Sequence, residues 1–193
     1  MRMRPRIAAM LVLVMICLTV PAWAEDFNKM EVFGGFSAAN LGNEKHFGWQ
    51  GSFAYNATEQ LGLVADFGGL YKTTKGTGFE DKEKDHSFLF GPRLNARAMR
   101  TTGFVHFLVG GTKSNITEKV GSTTTKESLS GFTTGIGGGM DVKATDKISI
   151  RILQIDWLPT HIGVNKALGI DKAFWSNDNI RLGFGVVVGL GGK

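Results

Sequence analysis

Residues 47–56 read FGWQGSFAYN, so that Phe47, Trp49, Gly51, Phe53 and Tyr55 alternate with Gly48, Gln50, Ser52, Ala54 and Asn56. A period of two sustained over this length is that of a β-strand with one bulky face and one small or polar face. No charge interrupts it. The polar face is therefore built to be enclosed rather than to meet water, and that inversion decides the fold class.

The same unit, about ten alternating residues and then a turn or loop, recurs from Met30 onward. Leu61, Leu63, Ala65, Phe67 and Tyr71 oppose Gly62, Val64, Asp66, Gly68 and Leu70. Phe88, Phe90, Pro92, Leu94 and Ala96 oppose Leu89, Gly91, Arg93, Asn95 and Arg97. Val105, Phe107 and Val109 face away from His106, although the other face of that run is also apolar. Phe132, Ile136, Met140 and Val142 oppose Thr133, Gly135, Gly137, Gly139 and Asp141, and Ile180, Leu182, Phe184, Val186 and Val188 oppose Arg181, Gly183, Gly185 and Gly189. Two runs are less regular. In 30–39 the phase stays open because Val32 and Phe33 fall on opposite faces. In 148–158 Arg151 and Asp156 have opposite parity, and both point inward only if a bulge lies between them.

Short connections at 57–60, 100–102 and 143–147 alternate with longer ones at 40–46, 72–85, 113–127 and 160–177. Outer-membrane barrels put short turns in the periplasm and longer loops outside, with both ends of the chain periplasmic. The expected fold is all-β: an eight-stranded antiparallel up-and-down transmembrane β-barrel. A secreted lipocalin-like barrel is the alternative, since it also has one apolar face. A soluble barrel must hydrate its outer face with charge, whereas here the non-bulky faces are mostly small and the charges gather in the connections.

The first 24 residues stand apart. Arg2, Arg4 and Arg6 precede an apolar run at 7–20 and the small residues of Ala22-Trp23-Ala24, the pattern of a cleavable signal peptide ending before Glu25. The run is shorter than the roughly 20 residues a membrane-crossing helix needs. The expected domain organisation is thus a signal at 1–24 and a barrel at 25–193. Cleavage removes three of 22 basic residues and no acid, leaving 19 against 17 and a net charge of +2 instead of +5. Nothing in that balance calls for nucleic acid. The single cysteine, Cys17, leaves with the signal, so the remaining chain has no thiol for catalysis or metal.

Four motifs, VFGGF at 32–36, FGPR at 90–93, IGGGMD at 136–141 and IRLGFG at 180–185, resemble the outer-membrane β-barrel domain family related to the OmpA transmembrane domain. The resemblance covers the whole chain after the signal. It implies residence in the outer membrane and carries no single function.

Candidate chemistry is sparse. The glycines at 135–139 lack the strand, helix and acidic residue of a dinucleotide site and are expected to make room in a narrow interior. His46, His86, His106 and His161 show no helical ligand spacing, so no metal or other cofactor is expected. His86 and Ser87 are adjacent, the residue types with which some eight-stranded barrels modify lipid A, but neighbours on a strand point to opposite faces. Asp66, Arg93, Arg97, Asp141, Arg151, Asp156 and Arg181 are expected to form a polar network filling the lumen. Trp49, Tyr71 and Trp157 are expected in the outer aromatic girdle and Tyr55 in the periplasmic one.

The function expected is a structural, envelope-integrity or surface-interaction role without catalysis. A small pore or hydrophobic-solute channel is the alternative. Expected partners are outer-membrane lipids and lipopolysaccharide, the barrel-assembly machinery, and a surface ligand reached through 72–85, 113–127 and 160–177. Cell fractionation should recover the chain in the outer membrane with heat-modifiable migration on gels, whereas recovery as a soluble periplasmic monomer would select the lipocalin-like alternative.

Overall fold

The structure is a computed structural model that describes residues 27–41, 44–77, 79–163 and 174–191. The expected signal at 1–24 lies outside the described residues. Ten strands run in chain order: β1 Met30–Leu41, β2 Glu44–Asn56, β3 Leu61–Gly76, β4 Phe79–Ala98, β5 Thr101–Val120, β6 Thr123–Lys143, β7 Ile148–Trp157, β8 Thr160–Ile162, β9 Phe174–Ser176 and β10 Ile180–Leu190. All pairings are antiparallel. β1 pairs with both β2 and β10, so β1 to β7 and β10 form a closed ring of eight, with the short β8 and β9 standing on the rim beside β6. No described helix is long and apolar enough to cross a membrane.

Burial separates a membrane barrel from a soluble one. Phe36, Leu63 and Phe90 are 69%, 61% and 54% exposed on the outside, and Phe53, Phe67, Ile152 and Phe184 join them. Apolar exposure of this extent needs hydrocarbon around it. Inside the ring, Asp66, Arg93, Asp156 and Arg181 are 2% exposed or less. One part of the lumen wall is nevertheless apolar: Ala54, Val64, Leu89, Leu108 and Leu158 pack together there. This accounts for the doubly apolar run around His106.

Both irregular strands resolve. In β1, Val32 faces out while Glu31, Phe33 and Ser37 are buried within. In β7, Met140 pairs with Leu153 but Asp141 with Arg151, so Ile152 is an extra residue and both Ile152 and Leu153 face out. That bulge brings Arg151 and Asp156 to the same side of the wall despite their opposite parity.

The connections expected at 72–85 and 113–127 are instead largely strand. Lys72 pairs with Glu83 and Lys75 with Glu80, while Lys113 pairs with Ser130 and Val120 with Thr123. The turn at 121–122 uses Gly121 at φ 59°, a conformation that favours glycine. β4 and β5 have 20 residues and β6 has 21, about twice the 9–11 that cross a bilayer at a tilt. The excess stands beyond the membrane as a paired extension. Thr73, Thr74, Ile116, Thr117, Val120 and Thr123–Thr125 supply the β-branched side chains that favour such a sheet. The connection at 160–177 likewise contains β8 and β9, with 164–173 outside the described residues.

The start of β1, the end of β10 and the short turns share one end of the barrel, and the extension stands at the other. The rule for outer-membrane barrels makes the first end periplasmic. With Lys126→Cys and Thr145→Cys introduced singly, a membrane-impermeant maleimide added to intact cells should label the first and spare the second until the envelope is opened. The opposite result would invert the topology.

Candidate functional site

The lumen is filled by two charged clusters. In the outer one Arg181 donates from Nη2 to Asp66 Oδ1 at 2.8 Å, and from Nε and Nη2 to Asp156 Oδ2 at 3.1 and 2.7 Å. Gln50 donates to Asp66 at 2.6 Å, and His106 Nε2 lies 2.8 Å from Asp156 Oδ1. In the inner cluster Arg151 grips Asp141 with two bonds, Nε to Oδ1 at 2.7 Å and Nη2 to Oδ2 at 3.0 Å. Arg97 donates to Glu31 at 3.1 Å. Arg93 Nη1 lies 3.1 Å from Glu31 Oε2 and its Nη2 3.5 Å from Asp141, ion-pair distances without aligned hydrogen bonds.

Gln154 joins the clusters, accepting from Arg151 Nη1 at 2.7 Å and donating to Asp156 Oδ2 at 2.8 Å. Four arginines thus face four carboxylates, and the seven lumen residues read from sequence lie in one connected set. Glu31, Gln50, His106 and Gln154 are the members that reading missed. Phe104 lies between two of the arginines, with the guanidinium carbons of Arg93 and Arg151 at 4.2 and 4.4 Å from its ring centre. Arg151 also lies 4.2 Å from the ring of Phe33, which explains the bulky residue on the inner face of β1.

Room for these groups comes from the glycines of β6. A Cβ on Gly137 would collide with Asp156 Oδ1 and stand 2.8 Å from His106 Nε2. One on Gly139 would stand 2.7 Å from Phe104. Their bare Cα atoms supply that space.

The expected girdle residues all face outward: Trp49, Tyr55, Tyr71 and Trp157 are 39–47% exposed. Trp49 covers Gly69 and donates from Nε1 to Tyr71 Oη at 3.1 Å, and Trp157 donates to the carbonyl of Asn177 at 2.6 Å. Trp49, Tyr71 and Trp157 thus keep their polar ends hydrogen-bonded on the outer face.

No nucleophile and base meet in these clusters. His86 is exposed on the outer face while Ser87 turns inward, so the adjacent pair is divided by the wall. At the rim Ser114 hydrogen-bonds Asp85, whose Oδ2 lies 3.7 Å from His46 Nε2. No group of three or more acidic, histidine or cysteine residues able to hold a metal occurs among the described residues.

Strand parity continues into the extension and sorts its charges. Asp81, Glu83 and Asp85 of β4, Glu118 of β5 and Glu127 of β6 share the inner parity, and Lys82, Lys84, Lys113, Lys119 and Lys126 share the outer one. Lys82 stands across from Thr117 and Thr117 from Lys126; His86 stands across from Lys113. Glu80 interrupts the basic face and is claimed by Lys82 at 3.3 Å and Lys75 at 3.4 Å. Hydrogen bonding, first from Lys82 and then from Lys75, holds its carboxyl below the usual range.

With this geometry, the family model described as outer membrane protein beta-barrel domain matches residues 10–187. The chain belongs to this family. It is an outer-membrane protein. Among solved structures, Ail, the attachment invasion locus protein of Yersinia pestis, is similar at 10% identity and TM-score 0.58, over 84% of this chain and 97% of that one. Ail in complex with the heparin analogue sucrose octasulfate is similar at 12% identity and TM-score 0.53, over 86% and 98%. Neisserial surface protein A is similar at 12% identity and TM-score 0.55, over 83% and 96%. At such identities the likeness is one of fold. No curated protein sequence is significantly similar to the chain.

Removing one partner of a fully desolvated ion pair costs on the order of 3–5 kcal/mol, less where water enters. Asp156→Ala strips the acceptor from Arg181, Gln154 and His106, and should lower the unfolding midpoint of the purified barrel clearly. Lys113→Ala, on the exposed outer face, should change stability by no more than about 0.5 kcal/mol. Equal midpoints in denaturant titrations of the two variants would contradict a desolvated network.

Proposed function

We propose that the protein is a non-catalytic outer-membrane barrel that supports the envelope and presents a polyanion-binding surface to the exterior. On this reading residues 1–24 are cleaved as a signal, the barrel-assembly machinery inserts the chain, and outer-membrane lipids surround it. The observation that carries the surface role is the sorting of charge across the extension of β4, β5 and β6, with lysines on one face and carboxylates on the other.

Mixed surface charge ordinarily pairs across strands and is spent on solvation. Here the opposite parity of Lys82, Lys84, Lys113, Lys119 and Lys126 from Asp81, Glu83, Asp85, Glu118 and Glu127 keeps most cross-strand neighbours from being opposite charges. Neighbouring strands lie about 4.8 Å apart and alternate residues on one strand about 6.8 Å apart. The lysines therefore form an array spaced for a chain of sulfates or phosphates. The fold relative Ail has been crystallised with sucrose octasulfate, a ligand of this chemical class. The array also sits directly beyond the Trp49 and Tyr71 girdle, where an anionic polymer outside the membrane would meet it.

Binding of this kind is electrostatic and weakens with salt. The purified protein should be retained on immobilised heparin and elute with rising salt, and the triple variant Lys84→Glu, Lys113→Glu, Lys126→Glu should elute at markedly lower salt. Three reversals at the other end, Arg100→Glu, Lys143→Glu and Lys147→Glu, should leave elution nearly unchanged. Equal losses from both variants would mean that net charge, not this face, drives retention.

A further inference from the structure

Above the polar network, at the outer mouth of the barrel, lies a cavity of about 170 Å³. Its apolar wall is Leu41, Leu70, Leu129, Leu158 and Ile162. Most of its polar lining is already engaged. Thr112, Thr133 and Thr160 form a chain of hydroxyls at 2.8 and 3.0 Å, Asn179 donates to the carbonyl of Leu158 at 3.2 Å, Ser176 donates to Asn179 at 3.2 Å, and Ser114 is bonded to Asp85.

One group is different. Arg181 is 1% exposed, and its Nε and Nη2 are taken by Asp66 and Asp156, but its buried Nη1 has no acceptor. A Cβ on Gly68 would stand 2.8 Å from Ser87 Oγ and 3.0 Å from Arg181 Nη1, so the bare glycine lets these two donors lie close enough together for a single oxygen to meet both. Both residues line the cavity. A guanidinium N–H buried without an acceptor is costly, more so than a neutral donor. An acceptor brought to it would relieve that cost.

The electrostatics select the kind of oxygen. Asp66 and Asp156 already balance the charge of Arg181, and Glu83 and Asp85 stand nearby around His46, with Glu83 Oε2 2.9 Å and Asp85 Oδ2 3.7 Å from its Nε2. No surplus of positive charge invites an anion. A cavity of roughly 150 Å³ is enough for benzene, which sets the ligand at about seven non-hydrogen atoms.

We propose that this outer-mouth cavity binds a small neutral molecule bearing one hydrogen-bond-accepting carbonyl oxygen, such as a cyclic ketone or lactone. The oxygen takes hydrogen bonds from Arg181 Nη1 and Ser87 Oγ, and the apolar body lies against Leu70 and Leu158. The site is independent of the basic outer face and stands or falls separately from it.

The test uses the full-length barrel in lipid nanodiscs with methyl-labelled leucines, titrated with cyclohexanone, methylcyclohexane and cyclohexanecarboxylate. Cyclohexanone should produce saturable shifts at the Leu70 and Leu158 methyls, with at least about tenfold higher affinity than methylcyclohexane, the worth of one hydrogen bond to a charged donor. Ser87→Val, which removes one of the two donors, should abolish the shifts while heat-modifiable migration reports that the barrel still folds. Three results would overturn the proposal: equal affinity for the hydrocarbon, tighter binding of the carboxylate, or no saturable shift with cyclohexanone. The comparison among the three probes on the unmodified protein decides the matter even if Ser87→Val does not fold.

Discussion

A strand in hydrocarbon has no water to satisfy its backbone, so every edge must be paired. In this protein the ladder from Met30 opposite Leu190 to Asn40 opposite Ile180 meets that demand by joining the first long strand to the last. Closing the ring at eight strands fixes the interior at a width that side chains fill. Anything charged that points inward must therefore find a partner within reach.

The arrangement of the lumen follows from that narrowness. Arg181 spans Asp66 and Asp156, Arg151 holds Asp141, and Gln154 links the two sets. Buried ion pairs are weak sources of net stability compared with apolar packing of equal volume. Their value here is better seen in register. Sliding a strand by one residue moves every inward side chain outward, and an arginine on the lipid face near the midplane costs about 2–4 kcal/mol. Arg93, Arg151 and Arg181 thus penalise mispairing of β4, β7 and β10, while Gly137 and Gly139 keep β6 from crowding the groups opposite them.

The strands that cross the membrane were legible because one face is apolar and the other is not, and that contrast has a period of two. It failed where the contrast weakens. Phe33 is bulky yet inward, because it packs on Arg151, and so the phase of β1 and the place of Glu31 stayed open. Gln50 and Gln154 carry no charge to draw attention, although both complete the network. The extension of β3 to β6 reads as loop because both of its faces are polar. Its periodicity lies in the sign of charge, Asp81, Glu83 and Asp85 against Lys82 and Lys84, rather than in hydropathy. The approach of Ser87 and Arg181 beside Gly68 has no sequence signature, since it depends on strands brought together by closure.

Two levels of the molecule have separate tasks. The membrane-spanning ring holds a balanced interior between a cavity at the outer mouth and a smaller one, of about 60 Å³, at the periplasmic end bordered by Glu31, Arg97 and Asp141. The extension carries the exposed charge. The claim on which this division rests is that the paired network closes the lumen, and single-channel recording in planar bilayers tests it most directly. The purified protein should show little or no steady conductance; large, uniform, porin-like steps would contradict it.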